Sequence, residues 1–247
     1  MVRGLLIRGM LAGLAAGILA FAFAKLFGEP LVDKAIAIEG PTGEAPLVSR
    51  GAQSTPGLLT ATVVYATALG GIFALVFAMA WNRTIKANPK VTAALLALAG
   101  FTVIFLVPFL KYPSNPPAVG DPATIGERTQ LYFVMVGISI AAAVAAVRLR
   151  RVEAFLALVV VALLAMPGVN EVPDAFPADL LWNFRIATVG MHAVIWGTLG
   201  VTFGWLASKQ IRVEHPALAS TGLGTHAHDL VGDLAQPPRD QDLVGGA

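Results

Sequence analysis

The chain contains no cysteine. Disulfides, thiolate nucleophiles, iron–sulfur clusters and cysteine zinc sites are therefore all excluded, and the redox compartment is left unspecified. Charge is scarce as well: Asp, Glu, Lys and Arg make up 13% of the 247 residues, where a soluble domain carries about 25%. There is no G-x-x-x-x-G-K-[ST] phosphate loop, no G-x-G-x-x-G, no H-E-x-x-H and no G-x-S-x-G. With no constellation of nucleophile and base, the chain reads as a non-enzyme. Any transport it performs would be driven by a gradient or a separate subunit. Its pI of about 9.1 does not indicate nucleic acid, because a net charge of +2 is small and the basic residues lie scattered between apolar runs.

What the chain has is apolar length. Hydrophobic residues make up 56% of it, and the mean hydropathy is +0.73. A helix needs about 20 mainly apolar residues to cross about 30 Å of hydrocarbon. Six stretches qualify or come close: Gly4–Phe27, Leu58–Trp81, Val91–Leu110, Thr129–Val147, Val152–Met166 and Ile186–Ser208. The expected fold is an all-α integral membrane protein of about six transmembrane helices occupying residues 1–208. The fifth is the weakest: it is short before Pro167, and is expected to be tilted, extended through Val169 or embedded among its neighbours. The first segment starts with the basic "RGLLIR" and passes small residues in "AFAFA", as a signal peptide would. Its apolar run exceeds a signal core, which favours a retained helix.

Positive charge alternates between loops. Arg3, Arg8, Arg83, Lys86, Lys90, Arg148, Arg150, Arg151, Lys209 and Arg212 fall on one side, in short loops. Lys25, Lys34, Arg50, Lys111, Arg128 and Arg185 fall in or beside longer loops on the other. By the positive-inside rule both termini are cytoplasmic and the long loops face outward. Glu29, Asp33, Glu39, Glu44, Asp121, Glu127, Glu171, Asp174 and Asp179 all belong to that outer side. Their field would concentrate cations; simple solvation of exposed loops is the competing explanation. Lys25 and Arg185 sit where long cationic side chains snorkel to the interface, or pair with an acid such as Glu29 or Asp179.

Gly9, Gly13 and Gly17 form a row in span one, with Ala12, Ala16, Ala20 and Ala24 in a second row. Residues four apart share a helix face, so this helix is expected to pack closely, centrally or against a partner, and a homo-oligomer is left open. Gly70, Gly71, Gly197, Gly200 and Gly204 mark spans two and six in the same way. His192, beside Met191, is the only histidine within a span, about two turns in from the outer end of span six. An ionisable group at that depth is a candidate ligand or proton relay; a neutral imidazole hydrogen-bonded nearby, for instance to Thr188, is the bland reading. Residues 209–247 turn polar and read as a disordered cytoplasmic tail. The tail carries His215, His226 and His228, and the last two, beside Asp229 in "HAHD", could weakly bind a divalent metal.

Between spans three and four lies "PFLKYPSNPPAVGDP", residues 108–122, whose prolines should kink or stop the helix near Pro108 and stiffen an outer loop. This loop is expected to act as a shaped cap that positions acidic neighbours such as Glu127. The longer string "FLKYPSNPPAVGDPATIGERTQLYF", with "NEVPDAFPADLLWNFRIA" and "RGMLAGLAAGILAFAFAKLFGEPLVDKAI", resembles the CbtA family of predicted cobalt transporter subunits. The resemblance covers essentially the whole chain except the tail. It implies a multi-pass protein of the bacterial inner (plasma) membrane that imports cobalt for cobalamin synthesis. It also implies pairing with a small one-helix, histidine-bearing subunit (CbtB-like). The metal would be substrate, with no cofactor bound permanently. Cobalt(II) accepts imidazole, carboxylate and water. On this reading Glu29, Asp33, Asp121, Glu127, Glu171, Asp174 and Asp179 form an acidic vestibule, and His192, with Met191 or Asn183, receives the ion. A non-catalytic scaffold subunit, using the glycine row of span one as its interface, is the alternative.

Overall fold

The computed structural model describes residues 2–39 and 48–214. Glu44 and residues 215–247 of the expected tail, with His215, His226 and His228, lie outside the described residues. The chain divides into a bundle, Met1–Ala207, and a second unit, Ser208–Ala247. Among the described residues the architecture is all-helical, with no strands. There are six principal helices: α1 (Val2–Glu39), α2 (Arg50–Ala80), α3 (Pro89–Lys111), α4 (Pro122–Leu149), α5 (Val152–Ala165) and α6 (Ala178–Glu214). The last runs past residue 209, through "KQIRVE", before the described part ends. All except α5 are long and apolar enough to cross a membrane.

Several helices continue beyond the apolar runs that mark them in the sequence, because three prolines that should break them are accommodated by widened π-type turns. These turns span Ala24–Gly28 before Pro30, Gln53–Gly57 around Pro56, and Phe101–Leu106 before Pro108. Proline has no N–H to donate to the carbonyl four residues back, and its ring crowds that carbonyl. Widening the turn lets the helix pass. At 1.5 Å per residue α1 is about 57 Å long, well beyond the hydrocarbon thickness. The helix containing Pro108 stops at Lys111, close to the expected end, where Tyr112 leaves the helical region.

Along α1, small residues mostly face the bundle and large ones face outward. On α1 the buried face is Leu5, Gly9, Ala12, Gly13, Ala16, Gly17 and Ala20, while Ile7, Leu11, Ile18 and Leu19 are about half exposed. In lipid there is no gain from hiding a large aliphatic side chain, so close approach of backbones decides which face turns inward. The glycine row lies against α2 in antiparallel register: Gly9 meets Gly70 and Ala74, Gly13 meets Ala66 and Thr67, and Gly17 meets Thr62 and Val63. The row proposed as a scaffold interface is thus occupied within the chain. A second antiparallel seam joins α3 to α6, where Gly100 faces the ring of Trp196, Gly200 faces Ala97 and Gly204 faces Ala93. Phe73 and Phe77 of α2 meet Phe203 of α6 edge-on, at centroid distances of 5.3 and 5.0 Å, and join the two seams into one core.

Helices α4 and α5 form a hairpin closed by Arg150 in the left-handed region. Met135, Ala142, Val159 and Ala162 of this hairpin pack with Val107 of α3. α5 neither extends through Val169 nor is embedded. It ends at Ala165 and leaves Leu156, Val161 and Leu164 largely exposed. Fourteen residues give about 21 Å of helix, yet its end reaches the level of α3's end, since Lys111 donates to Leu163 O at 2.8 Å and Tyr112 Oη to Pro167 O at 2.8 Å. The chain then runs in extended and turn conformation to α6. A third apolar cluster, Ala35, Val119, Phe176 and Leu180, joins α1, the proline-rich segment and the start of α6. The end of the bundle that carries this segment is called the loop end below.

Candidate functional site

At the loop end the polar side chains settle into separate groups. Arg50 pairs with both Glu29 and Asp33, the second at 3.0 Å. Among the described residues Lys25 pairs with no acid, Glu29 included; its Nζ donates to Ser54 O (3.0 Å), Ser54 Oγ (3.3 Å) and Thr55 Oγ1 (3.2 Å), tying α1 to α2. Arg128 Nε lies 3.2 Å from Glu171 Oε2. That carboxylate also accepts from Asp121 N at 3.0 Å and from Thr124 Oγ1 at 2.7 Å. The Asp121 side chain caps the start of α4 by accepting from Ala123 N at 2.8 Å. Glu127, Asp174 and Asp179 are exposed. Asp179 shares a shallow cavity of about 370 Å³ with Lys34 and Asn183.

The proline-rich segment lies over a larger cavity, about 690 Å³, lined among others by Lys111, Tyr112, Asn115, Arg128, Glu171 and Arg185. Its backbone and Asn115 hold the cations in place: Arg128 Nη2 donates to Asp121 O at 3.0 Å, and Arg185 Nη2 to Asn115 Oδ1 at 2.9 Å. Gly120, at φ 101°, lies so close to the Arg128 guanidinium that a Cβ there would sit 2.7 Å from its Cζ. The segment therefore positions arginines, and Glu127 does not line the cavity beneath it. Arg185 pairs with Asn115 and not with Asp179. Along the sequence Lys111, Arg128 and Arg185 do not stand out as a group, because each stands singly at a span end, where a cation is ordinarily an interfacial anchor. Their occurrence in loops otherwise poor in basic residues was the available signal.

Deeper in the bundle, His192 lies about 21 Å along α6 from Ala178 at 1.5 Å per residue, further in than the apolar run suggested, because α6 begins before Ile186. Its ring stacks on Phe105 with centroids 3.8 Å apart and planes 9° apart, inside the widened turn of α3. His192 Nδ1 is 3.0 Å from Thr188 O. A carbonyl only accepts, so Nδ1 carries the proton and a neutral ring presents Nε2 as a bare lone pair. The same arrangement holds the tautomer of many metal-ligating histidines. No group of three or more His, Cys, Asp or Glu that could hold a metal ion occurs among the described residues. His192 and the acids of the loop end are not brought together into one coordination shell.

A family model described as probable cobalt transporter subunit (CbtA) matches residues 2–208. No curated protein and no solved structure matches the chain.

Proposed function

Because the chain belongs to the CbtA family of probable cobalt transporter subunits, we propose that it carries cobalt(II), as substrate, inward across the bacterial plasma membrane to supply cobalamin synthesis. On this reading both termini are cytoplasmic and the loop end faces outward. The observation that carries it is His192, an imidazole within the bundle whose tautomer leaves Nε2 free to ligate and whose ring is held against Phe105 beside a widened turn. Glu127, Asp174 and Asp179, exposed and outside any ion pair among the described residues, draw the cation to the surface. Glu29, Asp33, Glu171 and Asp121 shape the vestibule through the contacts that occupy them. A single histidine cannot strip a hydrated divalent ion, so water and backbone carbonyls complete the passing shell. A one-helix histidine-bearing partner supplies further donors.

The test is uptake of labelled cobalt in cells that lack other importers and express this chain with its partner. His192→Ala and His192→Gln should each cut uptake by at least about tenfold, in line with the loss of one ligand interaction. Uptake equal to that of the unaltered chain would remove His192 from the path.

A further inference from the structure

We propose that the cavity under the proline-rich segment binds an oxyanion, a phosphate or carboxylate group held between Lys111 and Arg185. Lys111, Arg128 and Arg185 all line it, and among the described residues Glu171 is the only carboxylate that does. Glu171 lies 3.2 Å from Arg128 Nε and accepts from Thr124 and the Asp121 amide, so its charge is already matched. Among the described residues, neither Lys111 nor Arg185 has a carboxylate within 4.0 Å. Lys111 spends one donor on Leu163 O. Arg185 spends one on Asn115, and its Nε is buried with no acceptor among the described residues.

Buried donors are nearly always satisfied, and an unpaired buried donor on a charged group is costly. A planar guanidinium and an ammonium that line one cavity suit an oxyanion, which accepts several charge-assisted hydrogen bonds at once. The cavity's size falls in the usual range for small-molecule sites, about 300–1,000 Å³. A free divalent cation would be repelled there. The inference does not depend on which metal the protein moves.

Two sources share this chemistry, a soluble oxyanion and the phosphate of a lipid headgroup. The full chain is purified in a neutral detergent and titrated with inorganic phosphate by calorimetry. In parallel it is placed in nanodiscs of a phosphate-free galactolipid with or without phosphatidylglycerol, and the co-purifying phospholipid is counted by native mass spectrometry. The unaltered chain should bind in one arm, which identifies the source. Lys111→Gln and Arg185→Gln should each weaken binding about ten- to a hundredfold, the effect of losing a charge-assisted hydrogen bond. Lys111→Arg keeps the charge and should stay within about threefold of the unaltered chain. It decides the matter if Arg185→Gln does not fold. Lys86→Gln, between α2 and α3, should change nothing. Absence of binding in both arms, or equal losses for Lys86→Gln and Lys111→Gln, would overturn the proposal.

Discussion

Replacing Gly13 by Leu should drive α1 and α2 apart. A Cβ at this position would sit 2.9 Å from both Ala66 C and Thr67 Cα, and closer still to Ala66 O. Carbon atoms rest at about 3.5–4.0 Å, so the helices must part locally by roughly 0.6–1 Å, and a gap of that size forfeits about a quarter to a half of each contact's attraction. Overpacking of this kind costs about 1–3 kcal/mol, and Leu, whose outer carbons also need space between the helices, belongs at the upper end. The control is Gly137→Leu on α4, where a Cβ would meet nothing within 4 Å and the added side chain enters lipid. Thermal unfolding of the purified chain in detergent, followed by circular dichroism, reads the difference. At about 2–4 °C per kcal/mol for a chain of this size, about 2–3 kcal/mol should lower the midpoint by roughly 4–12 °C for Gly13→Leu, against under about 2 °C for Gly137→Leu. Equal midpoints for the two variants would refute the claim that this glycine row sets the approach of α1 to α2.

Gly120→Ala combines a positive φ with a collision against the Arg128 guanidinium. It should lower the same midpoint by an amount corresponding to about 1–3 kcal/mol, and an unchanged midpoint would show that the loop is not clamped there. Tyr112, outside the spans, donates to Pro167 O at 2.8 Å, so Tyr112→Phe should cost about 0.5–1.5 kcal/mol near neutral pH. Desolvation raises the Tyr112 pKa above the usual 10.0, which favours the neutral phenol in the folded state. Its contribution is therefore full below about pH 10 and lost as pH rises through the higher folded value. Unfolding midpoints measured from pH 8 to 11 should converge for the unaltered chain and Tyr112→Phe, and parallel curves would refute the linkage.

Much of the fold was legible from residue types alone. Apolar runs of the right length marked every long helix, and glycines four apart marked the faces that make the two seams. Helix ends were less legible. The apolar runs end at Phe27 and begin at Leu58, and only the widened turns beside Pro30 and Pro56 carry α1 to Glu39 and start α2 at Arg50. The short α5 read as a weak span, and its returning to the loop end depends on contacts of Leu163 and Pro167 with Lys111 and Tyr112. His192 could be singled out because a histidine in an apolar run is conspicuous. Its tautomer and its stacking on Phe105 could not, because Phe105 lies 87 positions away in the chain.

The sequence by itself determined that this is a membrane protein of helices, where its spans fall and which family it belongs to, because those properties reside in composition, in local periodicity and in strings such as the proline-rich segment. Which charges meet was decided only by the tertiary structure. The acids of the loop end looked like one collection when counted along the chain. Folding assigned Arg50 to Glu29 and Asp33, and Arg128 to Glu171, and left Lys111 and Arg185 facing one cavity without a carboxylate of their own. Electrostatic attraction between side chains depends on their separation in space and on what else neutralises them, and neither can be read from their order along the chain.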